Sequence, residues 1–149
     1  MIETTWRTQA TPEQVWRVLS DGWLYASWVV GASRIREVDD RWPAVGSRIH
    51  HSVGVWPLLL NDETQVLTSE PNQLLVLQAR TRPLGEARVH ISIRDRLGAS
   101  GPVEIGIRED LVDGPGRIVP AALRQRLLVP RNRESLRRLA LLAEGRGNA

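Results

Sequence analysis

Apolar and polar side chains alternate from the first residues, with Ile2, Thr4, Trp6 and Thr8 on one parity and Glu3, Thr5, Arg7 and Gln9 on the other, the pattern of a two-faced strand. Thr11-Pro12-Glu13-Gln14 then reads as a helix start, with Thr11 as N-cap, Pro12 in the first turn and Gln14 closing a capping box. Val15, Val18 and Leu19 share a face of that helix, which stops near Asp21-Gly22, and Trp23 to Val30 forms a second short apolar segment of helical character. The period then changes to two. Strands are expected at Ser33–Val38, Gly46–Val53, about Leu58–Ser69, Gln73–Thr81, Glu86–Arg94 and Pro102–Leu111, which with the first makes seven. Turn-rich separators such as Glu70-Pro71-Asn72 and Arg82-Pro83-Leu84-Gly85 divide them, and Gly114-Pro115-Gly116 ends the series.

The helical period returns at Asn132–Glu144, where Leu136, Leu139, Ala140 and Ala143 share a face and Leu142 adjoins them. Pro120 is expected to open a short helix that fails before Pro130, because proline lacks a donor and clashes with the preceding turn. Asn132 then caps the final helix. Strands followed by one long terminal helix predict an α+β domain in which a curved antiparallel sheet wraps that helix. Such an arrangement tends to enclose a cavity.

The chain has 149 residues, which fits a single domain over 1–149. It contains no cysteine, so disulfides, thiolate metal sites and cysteine nucleophiles are excluded. No apolar run reaches the ~20 residues that span a bilayer, so no stable membrane insertion is expected. The first residues read directly into a strand without a charged and apolar leader, which points to a cytoplasmic protein. All 20 basic residues are arginine, so Schiff-base chemistry has no lysine to use. The net charge of +3 is uneven: eight arginines and two glutamates lie from Arg117 onward, while the preceding residues are net acidic. Such an excess is the ordinary solvated face of an amphipathic helix. Attraction to nucleic acid or anionic lipid is the alternative.

Three stretches carry a family resemblance: Thr11-Pro12-Glu13-Gln14-Val15-Trp16, Asp21-Gly22-Trp23 through Trp28 with the later Gly46, and the amphipathic Asn132–Glu144. On these the chain resembles the START/Bet v 1-like (SRPBCC) superfamily, and within it the polyketide cyclase/dehydrase and lipid-transport group. The resemblance covers essentially the whole chain and implies a helix-grip fold, with seven antiparallel strands curved around a long C-terminal helix, two short helices after the first strand, and an apolar ligand cavity. Members include lipid carriers, aromatase/cyclases, hormone receptors and chaperone co-factors, so the resemblance specifies a scaffold far better than an activity. No catalytic set of the family aligns onto these residues.

Candidate chemistry follows from strand parity. His50 and His51 are adjacent and point to opposite faces; Ile49 and Val53 share the parity of His51, which places it inside and His50 outside. Ala87, Val89, Ile91 and Ile93 likewise face inward, with His90 outward. Three divergent histidines make no metal site. On the last strand Val103, Ile105, Ile107 and Leu111 share a parity into which Glu109 falls, and a carboxylate there must be paired, hydrogen-bonded or wet. His51 and Glu109 are therefore the candidate general acid/base pair, provided curvature brings them within reach. A structural hydrogen bond, or a bulge that turns Glu109 outward, is the alternative.

Tyr25, Trp28 and Trp56 border the expected cavity mouth, and Val89, Ile91, Ile105 and Ile107 its wall, which makes these seven the candidate ligand contacts. The cavity itself is expected at roughly 300–1,000 Å³. There is no phosphate-cradling glycine loop, dinucleotide fingerprint or nucleophile elbow, so no cofactor is expected. Nor is a nucleic-acid partner, since the arginine excess stands without a recognised motif. The function expected is binding or carrying a small hydrophobic or aromatic molecule, lipid- or polyketide-like, by a monomer or homodimer. The alternatives are a cofactor-independent polyketide cyclase/aromatase or dehydratase, and a partner-binding regulatory module.

Overall fold

The structure, a computed structural model, describes residues 3–30, 32–53, 60–81, 85–95, 102–114, 118 and 120–147. Strand β1 (Glu3–Thr8) leads into helix α1 (Pro12–Leu19), a single 3₁₀ turn at Gly22–Leu24 and the short helix α2 (Tyr25–Trp28). Six strands follow, β2 (Ala32–Val38), β3 (Arg48–Val53), β4 (Leu60–Glu70), β5 (Leu74–Thr81), β6 (Gly85–Asp95) and β7 (Val103–Asp113), and helix α3 (Ala121–Gly147) closes the chain. The seven strands form one antiparallel sheet in the order β1-β7-β6-β5-β4-β3-β2. Every neighbour is therefore a sequence neighbour except β1, which returns beside β7 with Thr4 opposite Ile107 and Trp6 opposite Ile105.

Local chemistry accounts for the entry to the sheet. The Gln14 N–H donates to the Thr11 hydroxyl at 3.2 Å and the Thr11 N–H to the Gln14 side chain at 2.8 Å, a complete capping box. Asp21 caps the 3₁₀ turn by accepting from the Trp23 N–H at 3.2 Å. A side chain at Gly22 would place its Cβ 2.6 Å from Val38 Cγ1, so only glycine lets this turn press onto β2. At four residues α2 has no stability of its own. Its position comes from the burial of Tyr25 and Trp28, and from the Val30 N–H donating to the Ser135 hydroxyl of α3 at 3.1 Å.

Helix α3 fills the concave side of the sheet. Leu136, Leu139, Ala140 and Ala143 are fully buried, each leucine contributing about 1.5–3 kcal/mol, while Arg137 and Arg138 remain exposed beside Glu134. Its C-terminal part is tied to β1, where the Thr8 hydroxyl donates to the Glu144 carboxylate at 3.1 Å.

The expected break at Pro130 does not occur, and Asn132 is not a cap. The helix runs unbroken from Ala121 with Pro130 inside it. The backbone bond lost at proline, worth about 3 kcal/mol with its clash, is offset by anchors to β7 on both sides. Gln125 donates from Nε2 to the Glu109 carbonyl at 2.9 Å, Arg124 lies 3.1 Å from Asp110, and Arg131 pairs with the Glu109 carboxylate. Sequence periodicity could not register these contacts because they are tertiary.

Candidate functional site

Between α2, α3 and the concave face lies a cavity of about 210 Å³. Tyr25 and Trp28 of α2 form one corner, with rings 5.6 Å apart in an edge-on arrangement. Leu77 and Ala79 of β5, Val89 and Ile91 of β6 and Ile107 of β7 make an apolar floor. The polar groups are His51 of β3, Arg80 of β5, Glu109 of β7, and Arg131, Asn132 and Ser135 of α3. The volume is smaller than the expected range. From α3 only Arg131, Asn132 and Ser135, beyond Pro130, reach the cavity.

Of the candidate ligand contacts, Tyr25, Trp28, Val89, Ile91 and Ile107 line the cavity. Ile105 does not. Two residues along β7 from Ile107, it sits opposite Trp6 in register and is fully buried in the core. Trp56 lies outside the described residues.

His51 and Glu109 both face inward and both line the cavity, on strands four apart in the sheet. They do not form a direct pair: no hydrogen bond joins them among the described residues, and each has another partner. Glu109 is bound by the Arg131 guanidinium, whose side chain is about one-third exposed at 34%. The His51 Nε2 lies 2.9 Å from the Thr64 hydroxyl, which in turn lies 3.4 Å from the Tyr25 hydroxyl. The Tyr25 and His51 rings are 5.7 Å apart.

Thr64, Asp62 and Val66 occupy the inward parity of β4, and Asp62 stands directly opposite His51 in the strand register. Burial pushes the His51 pKa below its ordinary value, with the Asp62 charge pulling the other way. Burial raises the Tyr25 pKa, and the Glu109 charge adds to the rise against the hydrogen bond from Thr64. Both shifts favour neutral groups near pH 7. A hydroxyl has one proton to give, so two neutral arrangements exist. Tyr25 donates to Thr64, which donates to His51; or His51 donates to Thr64, which donates to Tyr25. The first leaves the phenol oxygen as an acceptor for a further group, and the second leaves its O–H as a donor.

Parity within β4 alone would have exposed Asp62 and Thr64, since two polar residues on an inward face need an explanation. Extending the helical period of α3 backward from Leu136 reaches Ser135 and Asn132, already inside the expected final helix, and Arg131 just before its expected start. Among the described residues no cluster of His, Asp or Glu could hold a metal ion, and no helix is long and apolar enough to cross a membrane.

No family model matches the sequence, and neither does any curated protein. Solved structures do. The di-domain ARO/CYC StfQ from the steffimycin biosynthetic pathway superposes with a TM-score of 0.73 at 12% identity, over 99% of this chain and 51% of that one. Ara h 8.0201 matches with a TM-score of 0.68 at 9% identity, over 97% of both chains. The fold is START/Bet v 1-like. A Rhodobacter sphaeroides protein shares this helix-grip architecture with a TM-score of 0.70 at 21% identity, over 96% of this chain and 91% of its own. A seven-stranded sheet gripping a long C-terminal helix is what these matches have in common with the present chain, and at such identities the likeness carries the fold alone.

Proposed function

We propose that this START/Bet v 1-like domain binds a compact, largely apolar aromatic molecule bearing one hydroxyl or carbonyl oxygen. The observation that carries this reading is the cavity of about 210 Å³, walled by Trp28, Leu77, Ile91 and Ile107 and bordered by the Tyr25–Thr64–His51 chain. An apolar cavity of about 150 Å³ accepts benzene. The space here suits about one to two fused rings, and neither a long acyl chain nor a tetracyclic polyketide. The hydrogen-bonded chain adapts to a ligand hydroxyl in its first arrangement and to a ligand carbonyl in its second. Native mass spectrometry of protein purified from its own host tests the proposal. A retained aromatic molecule of that size supports it. Protein that arrives empty, and also fails to bind naphthols and indoles, removes it.

A second reading is enzymatic and is favoured by the placement of Glu109 at the cavity with the Tyr25–Thr64–His51 chain. Here the Glu109 carboxylate removes a proton α to a ligand ketone, the C–H electron pair becomes the enolate, and the Tyr25 O–H, oriented by His51 through Thr64, hydrogen-bonds the enolate oxygen. The enolate carbon attacks a second carbonyl of the same ligand, forming a C–C bond, and the resulting alkoxide takes the proton back from Glu109. No cofactor enters. Such a cyclase would be cofactor-independent, like the runner-up expectation, with Glu109 as base and His51 holding Tyr25. Deuterium exchange at the α carbon of a bound ketone in heavy water, abolished by Glu109→Gln, is its signature. Ligand binding without exchange leaves the protein a binder.

A further inference from the structure

Helix α3 buries one face in the core, yet its opposite face is not uniformly polar. Leu123, Leu127 and Leu141 are 47%, 68% and 53% exposed. At 3.6 residues per turn they fall on one stripe with Pro130, which is also exposed. Along the edges of that stripe stand Arg126, Arg133, Arg137 and Arg138, while a single acid, Glu134, falls on the line itself between Pro130 and Leu141. Glu134 pairs with Arg137 and Arg138, Arg133 lies over the Trp6 ring at 5.6 Å, and Arg126 projects from the exposed side. Leu123 and Leu141 are eighteen residues apart, so the stripe extends about 27 Å along the helix. The same helix supplies Arg131, Asn132 and Ser135 to the cavity, so it forms the wall between cavity and solvent.

We propose that the outer face of α3 docks reversibly on an anionic lipid surface. A line of exposed leucines, interrupted only by Glu134 in its pairs with Arg137 and Arg138, and flanked by arginines is the arrangement of a helix lying in the membrane interface, where aliphatic side chains enter the acyl boundary and guanidinium groups remain among the headgroups. Charge separates this occupant from the alternatives. A second copy packed through the same face would set one net-basic face, four arginines to one glutamate, against another, since a two-fold interface meets itself. Nucleic acid would satisfy the arginines but place phosphates against the leucines. A protein partner would be expected to find an aromatic-rich patch, and this stripe contains no aromatic residue. Docking also gives an apolar cargo a route that avoids bulk water, because the helix contacting the lipid is the cavity wall. The proposal does not depend on the cavity holding a ligand, since lipid binding is measured on the protein alone.

The test is co-sedimentation with vesicles of phosphatidylglycerol and phosphatidylcholine, compared with phosphatidylcholine alone. The protein is expected to pellet with the mixed vesicles, to remain in solution with the zwitterionic ones, and to be released as salt is raised. Arg126→Glu should weaken binding about tenfold through charge reversal, and Leu123→Glu/Leu127→Glu by about tenfold or more. Both variants change exposed positions, so their thermal unfolding should match the parent, which shows that any loss belongs to the surface. Absence of pelleting with the mixed vesicles, or pelleting undiminished in the leucine variant, overturns the proposal. It is equally overturned by a dimer in sedimentation equilibrium that Leu127→Glu dissociates, or by duplex DNA binding that Arg126→Glu weakens and Leu127→Glu leaves intact.

Discussion

Replacing Thr64 by valine deletes a hydroxyl at a position with no solvent access while preserving side-chain shape. The residue connects His51 and Tyr25, so the consequence can be worked out from two contacts. The 2.9 Å bond to His51 is of ordinary length, and the 3.4 Å contact with Tyr25 is long and worth less. Among the described residues the His51 Nδ1 is already buried without a hydrogen-bond partner, so losing Thr64 leaves neither ring nitrogen bonded to any of them. A buried group left unsatisfied costs about 1–3 kcal/mol, which places Thr64→Val near the upper part of that range. Thr64→Ser keeps the hydroxyl and deletes one methyl, a change of about 0.5–1.5 kcal/mol. Urea unfolding followed by circular dichroism at pH 7.5 orders the pair. Valine should be the less stable substitution by about 1 kcal/mol or more. If valine equals or exceeds serine, the hydrogen-bonded chain does not contribute as described.

Stability should rise with pH where His51 titrates. Burial sets its folded pKa below the free value of 6.5, so the unfolded chain takes up the proton first, and stability present above pH 6.5 is lost as pH falls toward the folded pKa. His90 shifts in the same direction, so His51→Gln should make the slope of urea midpoint against pH shallower without removing it. Glu109→Gln leaves Arg131 without its carboxylate at the cavity wall; with the guanidinium one-third exposed, a loss of about 1–2 kcal/mol is expected in urea unfolding, less than for a fully buried pair. Leu139→Ala should cost about 2–5 kcal/mol, measured the same way, because the side chain is fully buried against the sheet. Val89→Trp places an indole in the cavity and should abolish ligand binding by calorimetry while native circular dichroism is retained.

The fold was legible because its signals are local. The Thr11–Gln14 box, the alternation on β1, β3, β6 and β7, and the spacing of Leu136, Leu139, Ala140 and Ala143 each depend on a few neighbouring residues, and each corresponds to an observed element. Parity was also sufficient to turn His51 and Glu109 inward. It could not say what each would touch, because their partners come from other elements: Thr64 from the adjacent strand β4, and Arg131 from a helix arriving across the sheet. Pro130 misled for the same reason. A proline predicts a break when local terms decide, and here Gln125, Arg124 and Arg131 hold both sides of it to β7. The cavity volume was overestimated because it was set by the usual size of small-molecule sites, and Ile105 was taken for a wall residue when its strand position puts it opposite Trp6. No pattern along one chain reports a volume.

The central claim is that the cavity selects a compact aromatic molecule, and a size series measured by isothermal titration calorimetry tests it most directly. Phenol, 2-naphthol, a hydroxyanthracene and palmitate are titrated into the parent protein and into Val89→Trp. Affinity should rise from one ring to two, fall at three and be absent for palmitate, with all binding lost in the tryptophan variant. Palmitate or the three-ring compound binding more tightly than 2-naphthol, or binding of any of them that survives Val89→Trp, would contradict it.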